Sequence, residues 1–286
     1  MVSAALPSPQ EPEAGAQGPT IARRTRVLAS ELNRAFLSQG STQPVLLTGL
    51  TDGWPAMDCW SFDYFAKTYG DERVIVTDYL GSKNLHKVGF GRYLDYVRDP
   101  SVDLLPGQQA ETPWYSPYWS PFVDHPELSA DFDVSETVEN WMPEASGIDA
   151  AEGSSEALMA QWALRGFSWL FIGPAGTYTP RHLDTLNTHA WNTQICGRKR
   201  FDLWTPGHAA QGDAPDFQVV LEPGETLIIP MGWAHAVVAL EASISLTGNF
   251  FNATNSAAFF RTIYTQPDVW QAKARLVPAL KAQLTP

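Results

Sequence analysis

The chain has 286 residues, 44% of them hydrophobic and 11 of them tryptophan, which is enough apolar material for a sizeable core and too much for a disordered chain. Its 19 Lys and Arg stand against 31 Asp and Glu, a formal charge of −12. That balance argues against general electrostatic binding to nucleic acid or an anionic membrane, and it favours a basic partner such as a Lys- or Arg-bearing peptide.

Residues 1–19 are rich in Pro, Ala and Gly, with neither a basic start nor a sustained apolar run. They read as a disordered tail and not as a signal peptide. No apolar stretch approaches the roughly 20 residues that span a bilayer. The two cysteines, Cys59 and Cys196, lie in unrelated contexts, so no disulfide framework is expected and a reducing, cytoplasmic setting follows.

From Ile21 to Gln39, Val27, Leu28, Leu32, Phe36 and Leu37 recur at helical spacing, and Gly40 is a natural stop. The run Pro44 to Gly49 reads as a buried strand. Ser61 can cap a short helix through Thr68, ended by Gly70, before a strand from Arg73 to Tyr79. The block Thr112 to Phe122 (TPWYSPYWSPF) sets Trp114, Tyr115, Tyr118 and Trp119 between prolines. Such rings suit either the mouth of a substrate pocket or a cover for the outside of the fold. Residues Pro143 to Glu156 read as a flexible loop.

Short apolar runs then follow one another: Phe167 to Ile172, the run carrying HLD, Phe201 to Trp204, Phe217 to Leu221, Thr226 to Ile229, Ala234 to Leu240 and Ser243 to Phe250. With Gly and Pro turns between them, they predict a mainly β fold with flanking helices. The architecture is a double-stranded β-helix, the jelly-roll or cupin barrel. After Asn252 the pattern turns helical, through Phe259, Phe260, Ile263 and Tyr264 and then Val269, Trp270, Leu276 and Leu280. The expected organisation is a tail over 1–19, one domain over 20–252 with α/β walls at its start, and helices over 253–286.

Two side chains one residue apart on a strand share a face, so His182 and Asp184 can converge while Leu183 turns away. His235, in PMGWAH, supplies a third donor from a neighbouring strand. Two histidines and one carboxylate on one face leave open positions on a metal, the donor set of non-heme Fe(II) oxygenases; zinc accepts the same ligands. An oxygenase of this type also needs a cation for the distal carboxylate of 2-oxoglutarate. Lys199, in GRKRF on the following strand, is suited to it, with Arg198 and Arg200 alternating outward. Asn249 shares the strand face of Thr247. His189 reads as a structural hydrogen-bonding residue, His86, His125 and His208 as solvated, and Trp191 and Trp233 as core.

The blocks HLDTLNTHAWNTQICGRKRF, ETLIIPMGWAHAVVAL, SISLTGNF and GLTDGWPAMDCW, in that combination, resemble the JmjC-type, cupin-fold, Fe(II)- and 2-oxoglutarate-dependent oxygenases. The likeness spans roughly residues 45–252. It is greatest to the phosphatidylserine-receptor-like lysyl hydroxylase branch and next to the asparaginyl hydroxylase of hypoxia-inducible factor.

The resemblance implies that His182, Asp184 and His235 hold iron. It implies that Lys199 pairs with 2-oxoglutarate, supported by Thr179, Asn192, Thr247 and Tyr115, with O2 as the third reactant. The implied reaction hydroxylates an aliphatic C–H of a peptidyl or amino-acid side chain and releases succinate and CO2. N-methyl demethylation shares the first chemical step and differs in product mass. A non-catalytic cupin-like binding protein is the alternative from another class. C-terminal helices of this kind either form a homodimer interface or pack back on their own barrel.

Overall fold

The computed structural model describes residues 20–40, 42–79, 82–101, 105, 108, 113–122, 124–141, 167–208 and 214–265. Strand β1 (Ala22–Thr25) opens the chain and pairs in parallel with β2 (Val45–Thr48). Helical spacing beginning at Ile21 is thus corrected. Arg23, Arg24 and Thr25 are exposed and take strand conformation from backbone pairing, and helix starts only at α1 (Ala29–Leu32), continued by a wider π-helical turn over Asn33–Leu37. Helix α2 (Pro55–Cys59) precedes α3 (Phe62–Tyr69), where Ser61 Oγ accepts the Tyr64 N–H at 3.1 Å as the sequence predicts. Strand β3 (Arg73–Val76) ends earlier than expected and pairs with β4 (His86–Gly89). Helix α4 (Phe90–Arg98) buries Phe90, Tyr93, Leu94 and Val97, one face of a 3.6-residue period.

The barrel comprises β5 (Ser116–Trp119), β6 (Ser168–Gly173), β7 (Tyr178–His182), β8 (His189–Cys196), β9 (Lys199–Trp204), β10 (Phe217–Leu221), β11 (Thr226–Ile229), β12 (Ala234–Ala239) and β13 (Ser243–Phe250). One sheet has the order β1-β2-β11-β8-β13-β6-β5 and the other β10-β9-β12-β7. Period-2 alternation splits the larger sheet's side chains between two cores. Leu170, Ile172, Trp191, Ile195, Ile244 and Leu246 face the helical wall, whereas Leu227 and Ile229 meet Phe201 and Leu203 of the smaller sheet. The expected jelly roll is the observed fold, and Trp191 and Trp233 lie in its cores.

Trp191 explains one residue on the neighbouring strand. A Cβ at Gly248 would lie 2.6 Å from the Trp191 indole Nε1, so the fully buried ring packs directly on the β13 backbone. Gly248→Ala is expected to cost ~1–3 kcal/mol, the usual penalty for overpacking a filled core. An unchanged urea midpoint would show that the indole shifts freely.

The aromatic block divides by side. Trp114 and Trp119 are buried in the helical-wall core, while Tyr118 is exposed at a cavity rim. Helix α5 (Ser256–Thr265) lays Phe259 flat on Phe251, with centroids 3.9 Å apart, so its inner face is turned to its own barrel. The expected tail over 1–19, the loop over 143–156 and the helical pattern beyond 265 lie outside the described residues. Among those described, no helix is long and apolar enough to cross a membrane.

Candidate active site

Between the sheets is a cavity of about 440 Å³. Strand register sorts its lining into three levels. At the outer level His182 sits opposite His235, and across from them the Asn249 N–H bonds the Phe167 carbonyl. In the middle, Val237 lies between Thr179 and Phe201, facing the row Trp169, Thr247 and Asn192. At the inner end Lys199 projects from β9, its Nζ 5.3 Å from the centre of the Phe171 ring on the opposite sheet.

The metal-type donors of His182, Asp184 and His235 all lie within 4.8 Å of one another. The imidazole centroids are 4.2 Å apart. Each ring has its Nδ1 turned to a backbone carbonyl two residues back, His182 to Pro180 O at 2.8 Å and His235 to Trp233 O at 3.3 Å. That leaves Nε2 of both rings as the free donor, the arrangement by which carbonyl partners fix the tautomer of metal-binding histidines. Burial, followed by the neighbouring His182, pushes the His235 imidazole down to about 4, so its lone pair is available at neutral pH.

Asp184 departs from the sequence expectation in one respect. Strand β7 ends at His182, and Asp184 lies beyond it in extended conformation (ψ 144°) at the start of a 3-10 turn, Thr185–Asn187. Leu183 points away and is 59% exposed. Among the described residues, Asp184 is the only carboxylate lining the cavity.

Lys199 is 6% exposed, and burial pushes its ammonium down to about 7, offset only by the nearby Cys196. A buried cation facing no carboxylate is costly unless a ligand supplies the anion. Asn192 points the same way, since its buried Oδ1 has no partner among the described residues. An amide turned about its axis presents N–H there instead. The Thr247 hydroxyl donates to Trp191 O at 2.8 Å, so it contributes a wall and an acceptor.

Tyr115 does not line the cavity. Its hydroxyl meets Thr179 Oγ1 at 2.9 Å from behind, and Gly173 admits it, because a Cβ there would come within 2.6 Å of the Tyr115 Cβ. The donor set thus fits a divalent metal, and the inner cation fits a dianionic co-ligand.

Other side chains depart from the sequence expectations. Arg200 does not reach solvent; it is buried in an ion pair with Asp202 at 3.1 Å, while Arg198 pairs with Glu241 at 2.6 Å. His125 is half-buried against Glu72, and His86 stacks on Trp114 with centroids 4.5 Å apart. His208 is exposed, as expected, and bonded to Asp216 at 2.8 Å. His189 is fully buried and hydrogen-bonded, as predicted. The cavity-facing aromatics Phe167, Trp169 and Phe171 were legible as alternate residues of FSWLFI, yet that run resembles any buried strand.

A cupin-like domain (Cupin_8) matches residues 29–213, well over half of the chain. The chain belongs to the cupin-like domain family. The expected membership among JmjC-type oxygenases is borne out by its relatives. This cupin-like protein is 27% identical over 269 residues to Arabidopsis thaliana "Lysine-specific demethylase JMJ21", covering 82% of this chain and 26% of the relative. It is 27% identical over 249 residues to Caenorhabditis elegans "Bifunctional arginine demethylase and lysyl-hydroxylase psr-1", covering 74% and 56%. Against Gallus gallus "2-oxoglutarate and iron-dependent oxygenase JMJD4" it is 31% identical over 134 residues, 36% of this chain and 32% of the relative. It therefore spans between about a quarter and just over half of the length of these relatives.

Proposed function

We propose that this cupin-like protein is an Fe(II)- and 2-oxoglutarate-dependent oxygenase of a reducing, cytoplasmic compartment, acting on a peptidyl or amino-acid side chain. The observation that carries this reading is the pairing of two features in one cavity: the His182, Asp184 and His235 donors within 4.8 Å of one another, and a buried Lys199 at the inner end.

Iron, when bound, supplies the chemistry that couples oxidative loss of CO2 from 2-oxoglutarate to hydroxylation of a C–H bond. The protein's part is to hold and exclude. His182, His235 and Asp184 would hold the metal from one side and leave its other positions to reactants. Lys199 holds the distal carboxylate as a buried point charge. The Tyr115 hydroxyl is hydrogen-bonded to Thr179 Oγ1 at 2.9 Å, which fixes the Thr179 side chain beside that same carboxylate. Trp169, Phe171, Phe201 and Val237 wall the middle and inner levels with apolar surface and keep water from the reacting atoms. Substrate enters at the rim, past Tyr118, Leu183 and Thr185.

Hydroxylation is the primary reading. The names of the Arabidopsis and nematode relatives motivate demethylation as the second. The net charge of −12 supports a basic substrate. Incubation with iron, 2-oxoglutarate, O2 and a library of Lys-, Arg- and Asn-bearing peptides, their methylated forms included, tests the assignment. A product heavier by one oxygen with matching succinate is expected, a loss of one methylene identifies the demethylase, and no succinate under any condition contradicts both.

A further inference from the structure

Asp184 opens the turn Thr185–Asn187, His235 lies on β12 just after the turn at Met231, and one polar knot bonds both of those turns. After Asp184, Leu186 and Asn187 adopt left-handed backbone conformations, φ 57° and 54°. Such conformations cost ~1–2 kcal/mol per residue outside glycine and persist only where neighbours hold them. Asn255 Nδ2 donates to the Asn187 carbonyl at 2.9 Å, and Asn255 Oδ1 accepts the Asn252 N–H at 3.0 Å. On the other side, the Met231 N–H, in the turn that leads into His235, donates to His189 Nδ1 at 2.9 Å. His189 Nε2–H must then donate to Thr254 Oγ1, 2.9 Å away, and that hydroxyl donates onward to Asn252 Oδ1 at 2.7 Å.

His189, Asn252 and Asn255 are each at most 2% exposed. Burial pushes the His189 imidazole down to about 3, which keeps it neutral and its donor and acceptor sides fixed. The knot thus bonds the turn beside each ligand, and Asn252 Nδ2 ties it in addition to Asn33 Oδ1 at 3.0 Å and to the Glu139 carbonyl at 3.1 Å.

We infer that His189, Thr254 and Asn255 are positioning residues that brace the turn after Asp184 to the turn before His235 and so set the affinity of the metal centre. The inference rests on the proposed metal site and extends it to residues that touch neither metal nor substrate. Partners that orient metal ligands typically contribute ~10–100-fold in affinity, and the same range is expected here.

The test is titration of the whole chain with Mn(II), followed by magnetic resonance of the free ion, beside urea denaturation without metal. Asn255→Ala and the milder Thr254→Val are expected to raise the Mn(II) Kd by at least ~10-fold. His189→Gln, which keeps one acceptor and one donor, should stay near wild type while His189→Ala does not. Thr51→Ala removes a hydrogen bond to Gly224 O away from the knot, and it should lower the urea midpoint without moving the Kd. Folded Asn255→Ala and Thr254→Val proteins that bind Mn(II) like wild type would overturn the brace. Wild-type protein that binds no Mn(II) would instead overturn the metal site, and the brace with it.

Discussion

Asp184→Ala is expected to abolish metal-dependent succinate formation while leaving the fold unchanged. Asp184 is the only carboxylate of the donor set, and its loss leaves two imidazoles to hold a divalent cation. Metal polarisation is worth several kcal/mol in reactions of this kind, so losing even ~3 kcal/mol lowers the rate more than a hundredfold. Stability should not fall in parallel. The Asp184 side chain makes no capping hydrogen bond to the 3-10 turn that follows it. Circular dichroism and a urea midpoint matching wild type, together with absent succinate, are the expected results. Retained succinate formation would remove Asp184 from the centre.

The second large effect lies at the inner end. Lys199→Ala is expected to raise the 2-oxoglutarate KM, because removing one partner of a buried, hydrogen-bonded charge pair costs ~2–5 kcal/mol. Metal affinity should be unchanged, since Lys199 stands at the opposite end of the cavity from the three donors.

The sign of the pH dependence follows from the lowered value of about 7. Below it the free protein already carries the ammonium that the carboxylate needs. Above it each additional unit makes protonation cost ~1.4 kcal/mol more, so the wild-type KM should climb by nearly tenfold per unit until the value in the complex is reached. In Lys199→Ala that slope should vanish. A KM that is flat from pH 7 to 9 in wild type, or unchanged by the substitution, would place the co-substrate carboxylate elsewhere.

Much of this architecture is legible in the sequence because it depends on local period and spacing. The strands from Phe167 to Phe250 announce themselves through alternation punctuated by Gly and Pro, and the HLD and PMGWAH runs bring their donors together because β7 and β12 are paired neighbours. What sequence reasoning missed depends on tertiary partners. Ala22–Thr25 has no apolar alternation and becomes a strand only by pairing with Val45–Thr48. Arg200 is buried because Asp202, two residues along the same strand face, neutralises it. The bond between the Tyr115 hydroxyl and Thr179 Oγ1 joins residues 64 apart, a contact that no spacing encodes. The bonds from His189 to Met231 and from Asn255 to Asn187 span 42 and 68 residues, so nothing in the local pattern marks them.

The metal centre stands or falls on one binding event, and anaerobic equilibrium dialysis of Fe(II), with and without 2-oxoglutarate, measures it directly. Wild-type protein is expected to retain one iron per chain, held more tightly when 2-oxoglutarate is present. His182→Ala, Asp184→Ala and His235→Ala should each lose it, and Lys199→Ala should keep the iron but lose the tightening. Iron retained equally by all three ligand variants, or no effect of 2-oxoglutarate on the wild type, would contradict it.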